Sequence, residues 1–170
     1  MWAKIVNPES DSRFREYSSA YYELMKRKGV SPEDGRTVMR TQTTAIAAVM
    51  MIRGEADALL CGATGRYPDH VRFLIDVIGR QDDNRTVAAL NVVVLNNGTY
   101  FLADTQVNAE PNAEQVAEIT LLTVEQVRRF GMEPKVALVS HSNFGSSNAP
   151  GAEKMRAALK LILQRAPDLE

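Results

Sequence analysis

Apolar residues recur at helical spacing from about Arg13 to Lys28, where Phe14, Tyr17, Tyr21 and Leu24 share a face and Gly29 supplies a stop. Ser31-Pro32-Glu33-Asp34 then carries the marks of a helix start: a capping hydroxyl, a proline at the first position and acids in the first turn. That helix runs through Arg40. Thr44 to Ile52 is apolar on nearly every face and small at Ala45, Ala47 and Ala48, which predicts a buried helix closed by Gly54. Asn112 with Gln115 three residues on forms a capping box for a helix carrying Val116, Ile119, Val124, Val127 and Phe130, ended by Gly131 and Pro134.

Shorter apolar runs read as strands. Ala58 to Cys61 leads into Gly62-Ala63-Thr64-Gly65-Arg66-Tyr67 and then a helix from about Asp69 to Ile78. Lys135 followed by Val136 to Ser140 leads into a polar loop, and then into a helix with Ala152, Met155, Leu159 and Ile162 on one stripe. Val92 to Leu95 and Tyr100 to Ala103, on either side of Asn97-Gly98, read as a hairpin. Two strand–loop–helix units and a hairpin together predict one mixed sheet in a three-layer α/β fold, with the two loops at the same carboxyl edge and the hairpin near an edge.

Length and charge narrow the function classes. One hundred and seventy residues suit one domain, and a net charge of −1 with the signs interspersed leaves no field for a nucleic acid backbone or an anionic membrane. The single cysteine, Cys61, cannot close an internal disulfide and reads as a small buried thiol. No apolar run reaches membrane-spanning length and no targeting signal opens the chain, so a cytoplasmic location is the default expectation.

The candidate chemistry is anion binding. Ser140, Ser142, Asn143, Gly145, Ser146 and Ser147 supply hydroxyls, an amide and free backbone ahead of a helix whose first N–H groups carry the positive end of the dipole. The plain alternative is a turn capped by Ser147 or Asn148, with Pro150 at the first helical position. Arg40, Arg66 and Arg72, with Thr64 in the glycine loop, form the other half of the expected site if the fold brings them together. Taken singly, each arginine is an ordinary solvated side chain. His70 and His141 lie in no metal-ligand spacing, no nucleophile–base pair is readable and no glycine-rich dinucleotide fingerprint is present. Asp104, at a strand end, suits either a polar role at a site or a turn cap.

The segments NPESDSRFREY, YYELMKRKG, EADALLCGATGRYPDHVR, YFLADTQVNAEPNAEQVAEIT and VALVSHSNFGSS resemble successive landmarks of the phosphate acetyl/butyryltransferase family and together span nearly the whole chain. With RTQTT at 40–44, GRY at 65–67 and SHSNFGSS at 140–147, the chain is most similar to the phosphotransacetylase-like C-terminal domain of large bacterial NADP-dependent malic enzymes. The resemblance implies a Rossmann-like α/β fold of the isocitrate/isopropylmalate dehydrogenase-like kind, a homodimer within a larger homo-oligomer, and an acetyl-CoA cleft. Residues 1–170 would be one phosphotransacetylase-like region, a piece of a longer domain whose first strands precede Met1 and whose serine–arginine–aspartate catalytic segment follows Glu170.

Departures from the family pattern shape the expected function. A substrate-binding arginine of the transferases falls on Met25 and a histidine falls on Gly65, whereas Arg72, Ser140, Ser142, Gly145 and Ser146 match. The expectation is therefore no catalytic residue and no metal in this chain, and a ligand site for acetyl-CoA or phosphate at Arg40, Thr64, Arg66, Arg72, Ser140, Ser142, Asn143, Gly145 and Ser146. The implied role is an acetyl-CoA-responsive regulatory and oligomerisation domain. Malate would be oxidatively decarboxylated to pyruvate by a separate N-terminal malic enzyme domain, with NADP and a divalent metal, Mg or Mn. The alternatives are an active phosphate acetyltransferase and a dimerisation module that binds no ligand.

Overall fold

A computed structural model of the chain describes residues 6–80, 86–143 and 146–170. Its contacts divide it into two compact units, Met1–Gln81 and Asp82–Glu170. No helix among the described residues is long and apolar enough to cross a membrane.

The first unit is helical. Helix α1 spans Phe14–Met25 and tightens into a 3-10 turn over Lys26–Lys28, which Gly29 ends at φ +86°, a conformation that favours glycine. Tyr17, Tyr21 and Met25 form its buried stripe; Leu24 is exposed instead, because the stripe drifts to Met25 in the last turn. Helix α2, Pro32–Thr41, starts as expected: Ser31 Oγ accepts from the Asp34 N–H at 3.1 Å and Asp34 reaches back to the Ser31 N–H. Helix α3, Thr43–Ile52, is the core helix, with Ala45, Ala48 and Val49 wholly buried, and α4 spans Tyr67–Val77. Helices α1 and α2 pack together, α3 packs on α1, α2 and α4, and Met39, Phe73 and Val77 complete the cluster.

A polar clasp fixes the start of α1 to the end of α3. Glu55 accepts from the Tyr17 hydroxyl at 2.6 Å, from Arg13 Nη1 at 2.6 Å and from Arg53 Nε at 2.7 Å. Burial, then the bond to Glu55, pushes the Tyr17 hydroxyl up to about 12.

The second unit joins a hairpin to two helices. Strand β1, Leu90–Leu95, pairs antiparallel with β2, Gly98–Ala103, in a register that sets Val92 opposite Phe101 and Leu95 opposite Gly98. The two-residue loop is therefore Asn96-Asn97, and Gly98 opens β2 rather than sitting in the turn. Helix α5, Ala113–Arg129, has the predicted Asn112–Gln115 capping box and buries Val116, Ile119, Val124 and Val127, while Phe130 is exposed and meets Phe101 edge-on at 5.5 Å. Helix α6, Pro150–Arg165, packs on α5 through Ala152, Ala158 and Ile162, which leaves Leu159 half-exposed on its far side.

The coarse α/β reading holds, but the expected mixed sheet does not. Among the described residues the sheet is the β1–β2 hairpin alone. Residues 58–61 and 135–139 belong to no strand, because a strand exists only where a neighbour takes its N–H and C=O groups. Leu59 packs against the core, but Leu60 is 100 % exposed and Cys61 is exposed rather than buried, since no strand among the described residues pairs with that run. Near the other run, the Val136 N–H bonds the carbonyl of Glu170 at 2.8 Å and Lys135 pairs with the Glu170 carboxylate.

Candidate anion-binding loops

In the first unit the loop before α4 is held by a histidine. His70, one turn into α4, places Nε2 2.8 Å from the carbonyl of Thr64 and Nδ1 2.7 Å from Thr44 Oγ1. A carbonyl only accepts, so Nε2 carries the proton and Nδ1 accepts from the Thr44 hydroxyl. Gly65 lies against this ring at φ +95°; a Cβ there would stand 3.1 Å from His70 Nε2. A side chain at position 65 would therefore crowd this ring and strain the backbone at once.

The loop's arginines have separate environments. Arg66, at the cap of α4, points into solvent and pairs with Asp69 through Nε at 2.9 Å. Arg72 is exposed with its guanidinium 5.1 Å from the centroid of buried Phe73, so the ring supports it and its N–H edge stays open. Arg40 lies on α2 with its guanidinium 4.8 Å from the Phe14 ring. Met25, at the family's arginine position, is 5 % exposed and part of the unit's core.

In the second unit the serine loop bonds mainly to itself. Ser140 Oγ accepts from the Ser142 N–H at 3.1 Å, Ser142 Oγ from the Ser147 N–H at 3.0 Å and Ser147 Oγ from the Ala149 N–H at 3.1 Å. The Ser146 N–H bonds the Asn143 carbonyl at 3.1 Å, and Arg156 Nη1 ties the Ser147 carbonyl at 2.6 Å. These N–H groups are spent on the loop's own shape. The hydroxyl protons of Ser142 and Ser147 meet no acceptor among the described residues, so the loop offers an anion hydroxyl donors more than backbone ones. Ala149, not Ser147 or Asn148, caps α6 and makes no side-chain bond, because the Ser147 oxygen is taken by the Ala149 N–H, short of the first turn. Gly145 lies outside the described residues.

Asp104 is a structural hub. Oδ1 accepts from the N–H groups of Ala89 at 2.9 Å and of Gln106 and Val107 at 3.2 Å, and Oδ2 accepts from Asn108 N at 2.7 Å and Nδ2 at 2.6 Å. Burial raises its pKa, but these donors outweigh it and hold the carboxyl down at about 2. No group of three acidic, histidine or cysteine side chains suited to a metal occurs among the described residues. Sequence reasoning missed the His70 anchor and the Glu55 clasp: both join residues far apart in the chain, and no spacing marks such a pair.

Comparison with known proteins adds three findings. The family description that matches the chain, over residues 1–170, is phosphate acetyl/butaryl transferase. The chain is 51 % identical over 166 residues to the NADP-dependent malic enzyme of Escherichia coli, covering 98 % of the chain and 22 % of that protein, and 32 % identical over 166 residues to the phosphate acetyltransferase of Synechocystis, covering 98 % and 24 %. A phosphotransacetylase from Streptococcus pyogenes superposes with a TM-score of 0.87 at 28 % identity, covering 99 % of the chain and 51 % of that structure. The chain thus spans about a fifth of the length of the malic enzyme and about half of the solved phosphotransacetylase.

Proposed function

The chain belongs to the phosphate acetyl/butaryl transferase family, and from that premise we propose that it is an acetyl-CoA-responsive regulatory and oligomerisation domain of an NADP-dependent malic enzyme. One observation carries the choice over transfer chemistry: Met25 is buried in the α1–α4 core where the family resemblance puts a substrate-binding arginine. A thioether has no charge and no N–H fork, so the phosphate of an acyl phosphate loses its bidentate partner. The higher identity to the malic enzyme than to the acetyltransferase supports the same reading.

In this reading the family resemblance assigns to acetyl-CoA, in the first unit, Arg66, Arg72 and the carbonyl-anchored Thr64 loop, and in the second unit Ser140, Ser142, Asn143, Gly145 and Ser146. Arg40 supplies a further guanidinium. NADP and a divalent Mg or Mn ion serve malate oxidation on the N-terminal malic enzyme domain, in a cytoplasmic homodimer within a larger assembly. The Rossmann-like, isocitrate/isopropylmalate dehydrogenase-like arrangement that the resemblance implies would belong to the longer domain of which this chain is part, and its partners are small acyl-CoA molecules rather than nucleic acid or membrane. Acetyl-CoA changes malate turnover by preferring one of two states of that assembly.

Phosphate acetyl transfer is the second reading, favoured by the close superposition on a solved phosphotransacetylase. The test is an acetyl-CoA titration of malate oxidation by the full-length enzyme and its Arg72→Ala variant. Losing a charged hydrogen bond of roughly 1.5–3 kcal/mol moves the acetyl-CoA midpoint upward by about 10- to 150-fold. Superimposable curves would remove Arg72 from the site. An enzyme that ignores acetyl-CoA but turns over acetyl phosphate and CoA would establish the transferase reading.

A further inference from the structure

Helices α1 and α2 lie side by side and enclose a groove of about 710 Å³ between them. Its rim carries Arg15 from α1 and Arg36 and Arg40 from α2, against a single acid, Glu33. The volume falls within the range of small-molecule sites.

Several other cations of this unit sit against acids. Arg13 meets Asp11 and Glu55, Arg53 meets Glu16 and Glu55, and Lys28 meets Asp76. Arg15 and Arg40 have no acidic partner within 4.0 Å among the described residues, and Arg36 has only its helix neighbour Glu33 at 3.0 Å. That exposed pair is weak and is readily exchanged for a better anion. Arg36 and Arg40 are four residues apart on one helix, a spacing at which like charges repel, and Arg15 faces them across the groove. The Phe14 ring holds the Arg40 guanidinium at 4.8 Å by its face, which leaves the in-plane N–H fork free. Ser18 and Thr37 donate to carbonyls of their own helices, whereas Ser19 and Tyr22 line the groove with no hydrogen-bond partner for their hydroxyls among the described residues.

We propose that the α1–α2 groove is a binding site for a small molecule carrying two or more phosphate groups, held by Arg15, Arg36 and Arg40. Three guanidinium groups opposed by one carboxylate match a diphosphate in charge, and their planar forks match its oxygens in geometry. Tyr22, on the groove wall, gives a flat ring on such a molecule a surface to lie against. No residue from 62 to 72 lines this groove, and Arg40 is the one residue it shares with the proposed acetyl-CoA site, so Arg15→Gln is the variant that tests the groove apart from that reading.

The test is calorimetric titration of inorganic pyrophosphate, and separately of ADP, into the purified protein and into its Arg15→Gln, Arg40→Gln and Arg165→Gln variants. One saturable site is expected, weakened at least about tenfold by Arg15→Gln and by Arg40→Gln, as the loss of a charged hydrogen bond requires. Arg165, exposed on α6, controls for general charge, and its variant is expected to bind like the parent. Tighter binding of ADP than of pyrophosphate would identify a nucleoside diphosphate as the ligand, and equal affinity the phosphate chain alone. Absence of saturable binding of either below about millimolar concentration, or binding that ignores Arg15 and Arg40, would overturn the proposal.

Discussion

Replacing Asp104 by asparagine turns its carboxylate, which accepts five N–H groups, into an amide with one oxygen and one NH2. Whichever way the amide turns, the NH2 faces donors. Toward Asn108 it opposes two N–H groups, and toward Ala89, Gln106 and Val107 it opposes three. With lost bonds to a charged acceptor worth about 1.5–3 kcal/mol and partial relaxation of this half-buried loop, the variant is expected to lose about 2–4 kcal/mol near neutral pH. The acid dependence gives a second number. The folded carboxyl lies at about 2 against an ordinary 3.8, so the unfolded chain binds the proton more tightly and stability falls as acid is added. The contribution is fully present above the ordinary value and is lost as pH falls through about 2. At 1.36 kcal/mol per tenfold change in proton affinity, the gap is worth about 2 kcal/mol, an upper figure for a group partly open to water. Urea unfolding of the wild type and Asp104→Asn, followed by circular dichroism between pH 2 and 6, separates this carboxyl from the others. The stability difference between the two proteins should shrink by up to about 2 kcal/mol toward the acid end. A difference that stays constant across that range would refute the assignment of Asp104 as the loop's charged hub.

Two smaller perturbations follow from the first unit. Gly65→Ala combines a left-handed backbone with a Cβ 3.1 Å from His70 Nε2, and a loss of about 1–3 kcal/mol in thermal or urea unfolding is expected; an unchanged midpoint would mean that the 62–66 loop readily takes another path. Tyr17→Phe removes the hydroxyl that reaches Glu55 from a side chain only 2 % exposed, and should cost about 1–2 kcal/mol, read as a lower urea midpoint with an unchanged slope. A midpoint that does not move would show that the two arginines alone sustain the clasp.

What could be read from the chain divides by distance along it. The Ser31–Asp34 and Asn112–Gln115 boxes and the stop at Gly29 are decided within four residues, and the structure has them where their spacing puts them. The runs at 58–61 and 135–139 have the composition of strands. Whether they become strands depends on a partner that no local pattern supplies, and here the hairpin is the whole described sheet. Cys61 follows the same logic, since burial belongs to the packing of the run and not to the thiol. The hairpin was legible, but its turn shifted by one residue because register is fixed by cross-strand pairs such as Val92–Phe101. At the site, the serine loop announced its hydroxyls but not that their oxygens would be used to fold the loop. Arg40 was visible as a cation, whereas its neighbours Arg15 and Arg36 emerge only once α1 lies against α2.

The His70 anchor decides what the loop before α4 is fastened to. One ring nitrogen donates to the Thr64 carbonyl and the other meets the hydroxyl of Thr44, which stands in α3. A single imidazole thus bridges the loop and the most deeply buried helix of the unit. The path of residues 62–66 is thereby referred to the core rather than to the neighbouring surface. Serine at position 44 would keep the bridge, whereas valine, with the same shape and no hydroxyl, would cut it and leave the loop tied to α4 alone.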